Sequence, residues 1–346
     1  MVTGRRMLCS VDPLSPKGKG MHSLETYQLG VIALGAIAFG IWLLVKGGDW
    51  TVDNAVVVAE RSGLSKLFIA ATIIAFGTSA PELFTSINAN ISGFPGISVG
   101  NVLGSNIANV IMVVAVSAMI APVVFNRKEV RVDTLVMLAA TAAMVGAILA
   151  DLLPRWGGIA MVIALVGYIF YQHDASKLDL SEVEEHEAGG GSTPGLMLLA
   201  GIVTLVIGSE ILVQGAVAGG VALNVPESVI GMTLIAFGTS LPELTTCLAA
   251  ARKGQSEVII GGIVGSNIFN IFSVMAISAI AKPLVFEPRF AAFDMPIVVG
   301  VTLVFAVFLL FFGRIGRIAG GAMAVGYLAF LVAQYTVFGS ALPAIH

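Results

Sequence analysis

Charge is scarce in this chain. Asp, Glu, Lys and Arg make up 11% of its 346 residues, against about 25% in a soluble domain. That excludes an ordinary water-facing surface. The 18 basic and 21 acidic residues nearly balance, so nothing suggests a nucleic-acid partner. Cysteine is almost missing too. Cys9 lies in a polar tail and Cys247 in an apolar run, which leaves no disulfide framework and no metal-ligand spacing. A GxxxxGK[ST] phosphate loop is absent, which argues against an ATP-driven pump. No HExxH and no nucleophile–base pair is present either, so the chain does not read as an enzyme. No apolar core follows Arg5 and Arg6 closely enough for a cleaved signal. No cofactor and no obligate protein partner is indicated.

What is abundant is apolar sequence: 57% of residues, with a mean hydropathy of +0.96. It comes in long runs rather than the short alternating segments of a β-barrel. The expectation is an all-α polytopic membrane protein with the bilayer as its surroundings. Ten runs are long enough to span, at about 20 residues each: 24–46, 65–91, 96–121, 133–150, 156–172, 195–216, 226–251, 257–281, 293–312 and 316–337. A polar, acidic stretch, "HDASKLDLSEVEEHEAGGGST", separates the fifth from the sixth and reads as a linker. The organisation expected is a polar tail (1–23), a five-helix unit (24–172), an acidic cytoplasmic linker (173–193), a second five-helix unit (194–337) and a C-terminal tail (338–346).

The two units are copies. Shifted by 161 positions, Thr72–Val110 falls on Thr233–Ile271 without a gap, and 19 of the 39 pairs are identical. Chance similarity between apolar helices does not reproduce Gly, Pro, Ser, Asn and Glu in register. An odd number of spans per copy forces the copies into opposite orientations, giving two inverted five-helix repeats. That is a transporter architecture, with its site near the bilayer midplane. With the N-terminus outside, 11 basic residues of the spans and loops fall on inner loops and three, Arg155, Lys282 and Arg289, on outer ones.

Each copy places a helix breaker and an acid in its most apolar region: "IAFGTSAPE", ending on Glu82, and "IAFGTSLPE", ending on Glu243. Pro81 and Pro242 lack an N–H, so the carbonyls of Gly77 and Gly238 lose their helical partners. A carbonyl unsatisfied in lipid costs several kcal/mol, and a cation can satisfy it. Thr78, Ser79, Thr239 and Ser240 add hydroxyls at the same breaks. The next spans read "GNVLGSNIANV" and "GGIVGSNIFNI". Ser105 and Asn109 share a helix face, as do Ser266 and Asn270. Asn106 and Asn267 lie about 100° round the helix and fit either the site or interhelical hydrogen bonding. Asp49 and Glu210 match in register and read as capping or interfacial residues. The donors are all hard oxygens, which suit Ca²⁺ or Na⁺ rather than zinc or copper.

These paired motifs resemble the two α-repeats of the cation/calcium antiporter superfamily, and in particular its microbial sodium/calcium exchanger branch. The resemblance covers the chain from about residue 24. It implies an antiporter that moves Na⁺ one way and Ca²⁺ the other across a bacterial or archaeal plasma membrane by alternating access, with electrogenic Ca²⁺ extrusion. The proton-coupled branch typically has a different motif in place of GTSxPE, so a Ca²⁺/H⁺ antiporter is the alternative and a cation channel a more distant one. By the same resemblance Glu82 and Glu243 are the central Ca²⁺ ligands, joined by the carbonyls of Thr78 and Thr239. Ser79, Ser105, Ser240 and Ser266 serve flanking Na⁺ sites, Asn109 and Asn270 lie near the middle, and the carbonyls of Ala75 and Ala236 are further Na⁺ ligands. Some relatives carry Asp at the position of Asn270, so two formal charges stand here where those have three.

Overall fold

The computed structural model describes residues 16–176, 193–222 and 236–338. Most of the polar tail, the acidic linker, the start of the seventh apolar run and the C-terminal tail lie outside the described residues. The described chain is helical apart from short connections. Helix α1 is Pro16–Ser62. A bent pair follows, α2 (Lys66–Thr78) and α3 (Ala80–Ile91), at 43° to each other. Then come α4 (Pro95–Ile120), α5 (Arg131–Leu149) and α6 (Arg155–Ala175). The second half holds α7 (Thr193–Ala222), α8 (Ala236–Thr239), α9 (Leu241–Arg252), α10 (Ser256–Ala281), α11 (Phe290–Phe312) and α12 (Arg317–Phe338).

Eight of these helices are long and apolar enough to cross a membrane, and the bent pair makes a ninth. The chain is a multi-pass membrane protein. Large apolar side chains such as Phe84, Trp156, Ile163, Phe170 and Ile318 are exposed on its flanks, as lipid contact requires. The seventh run is described only from Ala236, so its full span is not among the described residues. The first helix outruns expectation: the sequence suggested an end near residue 46, yet α1 continues through Gly47, Gly48 and Asp49. Within this extension Asp49 lies 3.3 Å from Lys253.

Helices α4 and α10 form the centre. The apolar window of α10 is wholly buried and that of α4 largely so, while α12 is mostly exposed. Close backbone approach makes this packing possible. A Cβ on Gly261 would stand 2.6 Å from the Leu67 carbonyl, and one on Gly265 would collide with the Ala71 backbone, so α10 and α2 meet main chain to main chain.

On one flank α1 packs along α7. Gly40 lies against Gly208, and Gly47 against Gly201, so these helices run antiparallel. Four two-residue strands tie the ends: β1 (Val123–Val124), β2 (Leu152–Leu153), β3 (Leu284–Val285) and β4 (Arg314–Ile315). Strand β1 pairs with β4, and β2 with β3, both antiparallel. Exchanging the two copies carries one pair onto the other with a one-residue offset: Val123 falls on Leu284, while their partners Ile315 and Leu153 are 162 positions apart rather than 161.

Candidate functional site

Both proline-containing stretches break their helices in the same way. Ser79, between α2 and α3, has φ −82° and ψ 6°. Ser240, between α8 and α9, has φ −88° and ψ 6°. Each break leaves a helix C-terminus facing a helix N-terminus inside the protein. Glu82 and Glu243 sit in the first turns of α3 and α9, where the N-terminal partial charge favours a carboxylate. The preceding half-helices end on Thr78 and Thr239, where carbonyl oxygens carry partial negative charge and favour a cation.

Both acids are buried: Glu82 is 1% exposed and Glu243 3%. Neither has a Lys or Arg partner among the described residues. Ser79 Oγ donates to Glu243 Oε1 at 3.2 Å, and Ser266 Oγ to the same oxygen at 3.4 Å. The first bond crosses from one copy to the other. Thr239 and Ser240, from the other copy, lie beside Glu82.

The central helices close the site. Asn270 Nδ2 donates to Ser105 Oγ at 3.0 Å, and Ser105 Oγ donates to the Val102 carbonyl. Asn109 Nδ2 donates to Asn267 Oδ1 at 3.1 Å. Asn109 and Asn270 each open a π-helical turn, Asn109–Val113 and Asn270–Met275, a distortion frequent at functional sites.

The pattern of unmet acceptors shows what the cluster can hold. Among the described residues both oxygens of Glu82, Oε2 of Glu243, Oδ1 of Asn109, Oδ1 of Asn270 and Oγ of Ser240 are buried without a hydrogen-bond partner. A buried acceptor without a donor costs roughly 1–3 kcal/mol, and a charged one more. Six such oxygens in one cluster, two acids among their owners, form a lining for dehydrated hard cations. Ca²⁺ accepts about 6–8 oxygens in flexible geometry, and neutral amides and hydroxyls suit Na⁺.

Most of the residues expected from sequence converge here: Glu82, Glu243, Thr78, Thr239, Ser79, Ser240, Ser105, Ser266, Asn109 and Asn270 are all buried. Ala75 is buried in α2, and its carbonyl accepts the Ser79 N–H at 3.1 Å. The backbone of Ala236 opens α8. Asn267 belongs to the network, whereas Asn106 bonds only its own helix, at Val102. One expectation needs correcting. The carbonyl freed by Pro242, on Gly238, is not left without a partner, because Ser209 Oγ donates to it at 2.5 Å. In the first copy the position of Ser209 is Gly48, which has no hydroxyl to give. Asp49 and Glu210 do not reach the cluster: Asp49 pairs with Lys253, and Glu210 accepts from Gln214.

Sequence reasoning passed over Asn101. Its Nδ2 donates to the Glu82 carbonyl at 3.1 Å and to Ser86 Oγ at 2.9 Å, and its Oδ1 accepts from Thr239 at 3.4 Å. It ties the first break to the second. The signal was available, since the repeat sets Asn101 against Gly262 and the two copies differ there.

The chain is similar to known proteins. The family described as sodium/calcium exchanger protein matches residues 32–173 and 194–336. The sodium/calcium exchanger MaX1 of Methanosarcina acetivorans is 30% identical over 344 residues, covering 87% of this chain and 98% of its own. An uncharacterised membrane protein of Methanocaldococcus jannaschii is 34% identical over 255 residues, covering 72% of this chain and 82% of its own. A solved structure of the sodium-calcium exchanger NCX_Mj, soaked with zero Na⁺ and Ca²⁺, superposes with a TM-score of 0.78 at 30% identity, over 88% of this chain and 99% of that one.

Proposed function

This chain belongs to the sodium/calcium exchanger family, and from that membership we propose that it is an electrogenic Na⁺/Ca²⁺ antiporter of a bacterial or archaeal plasma membrane. Ca²⁺ binds between Glu82 and Glu243 with the carbonyls of Thr78 and Thr239. Na⁺ occupies flanking positions formed by Ser79, Ser105, Ser240 and Ser266, the carbonyls of Ala75 and Ala236, and the amides of Asn109 and Asn270. The observation that carries this reading is the set of unpartnered buried oxygens around two unpaired carboxylates at paired helix breaks.

The two carboxylates balance one Ca²⁺. Protons could replace that ion only at those two acids, because amides and hydroxyls do not titrate at ordinary pH. Such a cycle is electroneutral. Na⁺ can occupy the neutral positions as well, so more than two Na⁺ can replace one Ca²⁺ and net charge then moves.

Alternating access follows from two inverted five-helix repeats in a ten-span chain, residues 24–172 and 194–337. The antiparallel packing of α1 on α7 and the exchange of strand pairs between the copies support that inversion. Helices α1 and α7, joined through glycines on a flank, are the elements that slide past the rigid centre of α4 and α10.

The experiment is radiolabelled Ca²⁺ uptake into proteoliposomes with Na⁺, K⁺ and H⁺ gradients imposed one at a time. An outward Na⁺ gradient should drive uptake, and membrane potential should alter its rate. Uptake driven by a pH gradient without Na⁺, and indifferent to voltage, would establish the proton-coupled mechanism instead.

A further inference from the structure

The two copies differ beside their acids. In the first, the Asn101 side chain fills the space next to Ser86. In the register of the repeat these positions are Gly262 and Cys247. The missing amide leaves a cavity lined by Thr78, Glu243, Thr246, Cys247, Gly262 and Ser266 together with apolar side chains. It has room for about one water-sized guest.

Three donors of different character line that cavity. Glu243 is 3% exposed, and its Oε2 has no partner among the described residues. Thr246 is also 3% exposed, and its Oγ1 is likewise unpartnered. Cys247 is 2% exposed and carries a free thiol. Glu243 and Cys247 are four residues apart on α9 and therefore share a face. Ca²⁺ and Na⁺ gain little from sulfur, since they favour oxygen. A thiolate beside a carboxylate selects softer divalent ions.

We propose that this cavity binds a soft, thiophilic divalent cation of the Cd²⁺ class through Cys247 Sγ, Glu243 Oε2 and Thr246 Oγ1. The thiol proton leaves to water as the metal–sulfur bond forms. The ion occupies Glu243 and so blocks exchange. The binding stands on this geometry alone; only the block rests on the reading of Glu243 as a transport ligand. The first copy, with Ser86 in place of the thiol, has no equivalent site.

The test uses the full chain with Cys9 replaced by Ser, so that one thiol remains, and compares it with the same chain carrying Cys247→Ser. Purified protein free of Ca²⁺ is titrated with Cd²⁺ alone, and the ultraviolet Cd–thiolate charge-transfer band is recorded. The band should rise to one ion per chain and be lost in Cys247→Ser. In proteoliposomes, Cd²⁺ inhibition of Ca²⁺ uptake is scaled to each variant's metal-free rate. Losing a direct ligand should weaken inhibition by about tenfold or more, the least that even an outer-sphere partner contributes, while half-saturation by Ca²⁺ stays in place. Absence of the band, or equal Cd²⁺ inhibition of both proteins, overturns the proposal. A band present without any effect of Cd²⁺ on uptake keeps the metal site and overturns the block. Failure of Na⁺-driven uptake in metal-free samples of both proteins bears instead on the transport reading.

Discussion

Glu82 and Glu243 hold nearly all the buried formal charge of the cluster, so single-atom changes there should be decisive. Glu82→Gln or Glu243→Gln preserves size and removes one of two charges. Removing one partner from a buried ionic arrangement costs about 3–5 kcal/mol, and exchange should fall by at least about a hundredfold while membrane insertion is retained. Uptake assays at matched expression decide this, and near-normal rates in either variant would refute the assignment. The serines act differently. Ser105 accepts from Asn270, and Ser266 donates to Glu243, so neither adds charge. Replacing both by Ala should weaken Na⁺ dependence more than Ca²⁺ binding. Separate titrations with Na⁺ and Ca²⁺ measure the two, and an equal loss in both would contradict the division of roles.

At the scale of elements, the flank helix α1 is tied to the second copy through Lys253. Lys253, just beyond α9, lies 3.3 Å from Asp49 and 2.8 Å from Asp53, both on α1. The groups are partly exposed, so the tether contributes at most about 1 kcal/mol. That is still enough to bias two conformations about fivefold. No counterpart exists in the register of the repeat, where Lys253 falls on Ser92. Lys253→Met should therefore shift apparent Ca²⁺ affinity at the two faces in opposite directions, by up to about fivefold. Half-saturation measured from each side of oriented vesicles checks this, and equal shifts at both faces would remove the tether from the transport cycle. The breaks in the helices were legible in sequence because Pro81 and Pro242 lack the N–H that the preceding turn of helix needs. The π-helical turns at Asn109 and Asn270 were not, because one extra residue in a turn leaves apolar periodicity almost unchanged.

At the scale of the whole molecule, the reading depends on inversion. Ser92 follows the bent pair α2–α3, and Glu257 lies at the matching end of the second copy. Both are exposed. If the copies are inverted, cysteines placed at these two positions on a background lacking Cys9 and Cys247 should react with an impermeant thiol reagent from opposite sides of the membrane. Labelling of both from one side would mean that the copies run parallel.

The duplication, the two broken helices, the hard-oxygen chemistry and the family resemblance were all determined by sequence alone. Each rests on local covalent facts: proline has no N–H, a carboxylate in an apolar run is costly, and register survives duplication. Tertiary structure decided what those groups meet. It put Ser79 of one copy on Glu243 of the other, gave the Gly238 carbonyl to Ser209, tied Asp49 to Lys253, and left a cavity where Gly262 replaces Asn101. These contacts join residues up to 204 positions apart. No periodicity or spacing along the chain encodes them, because they arise only when separate helices approach closely enough for their groups to share a site.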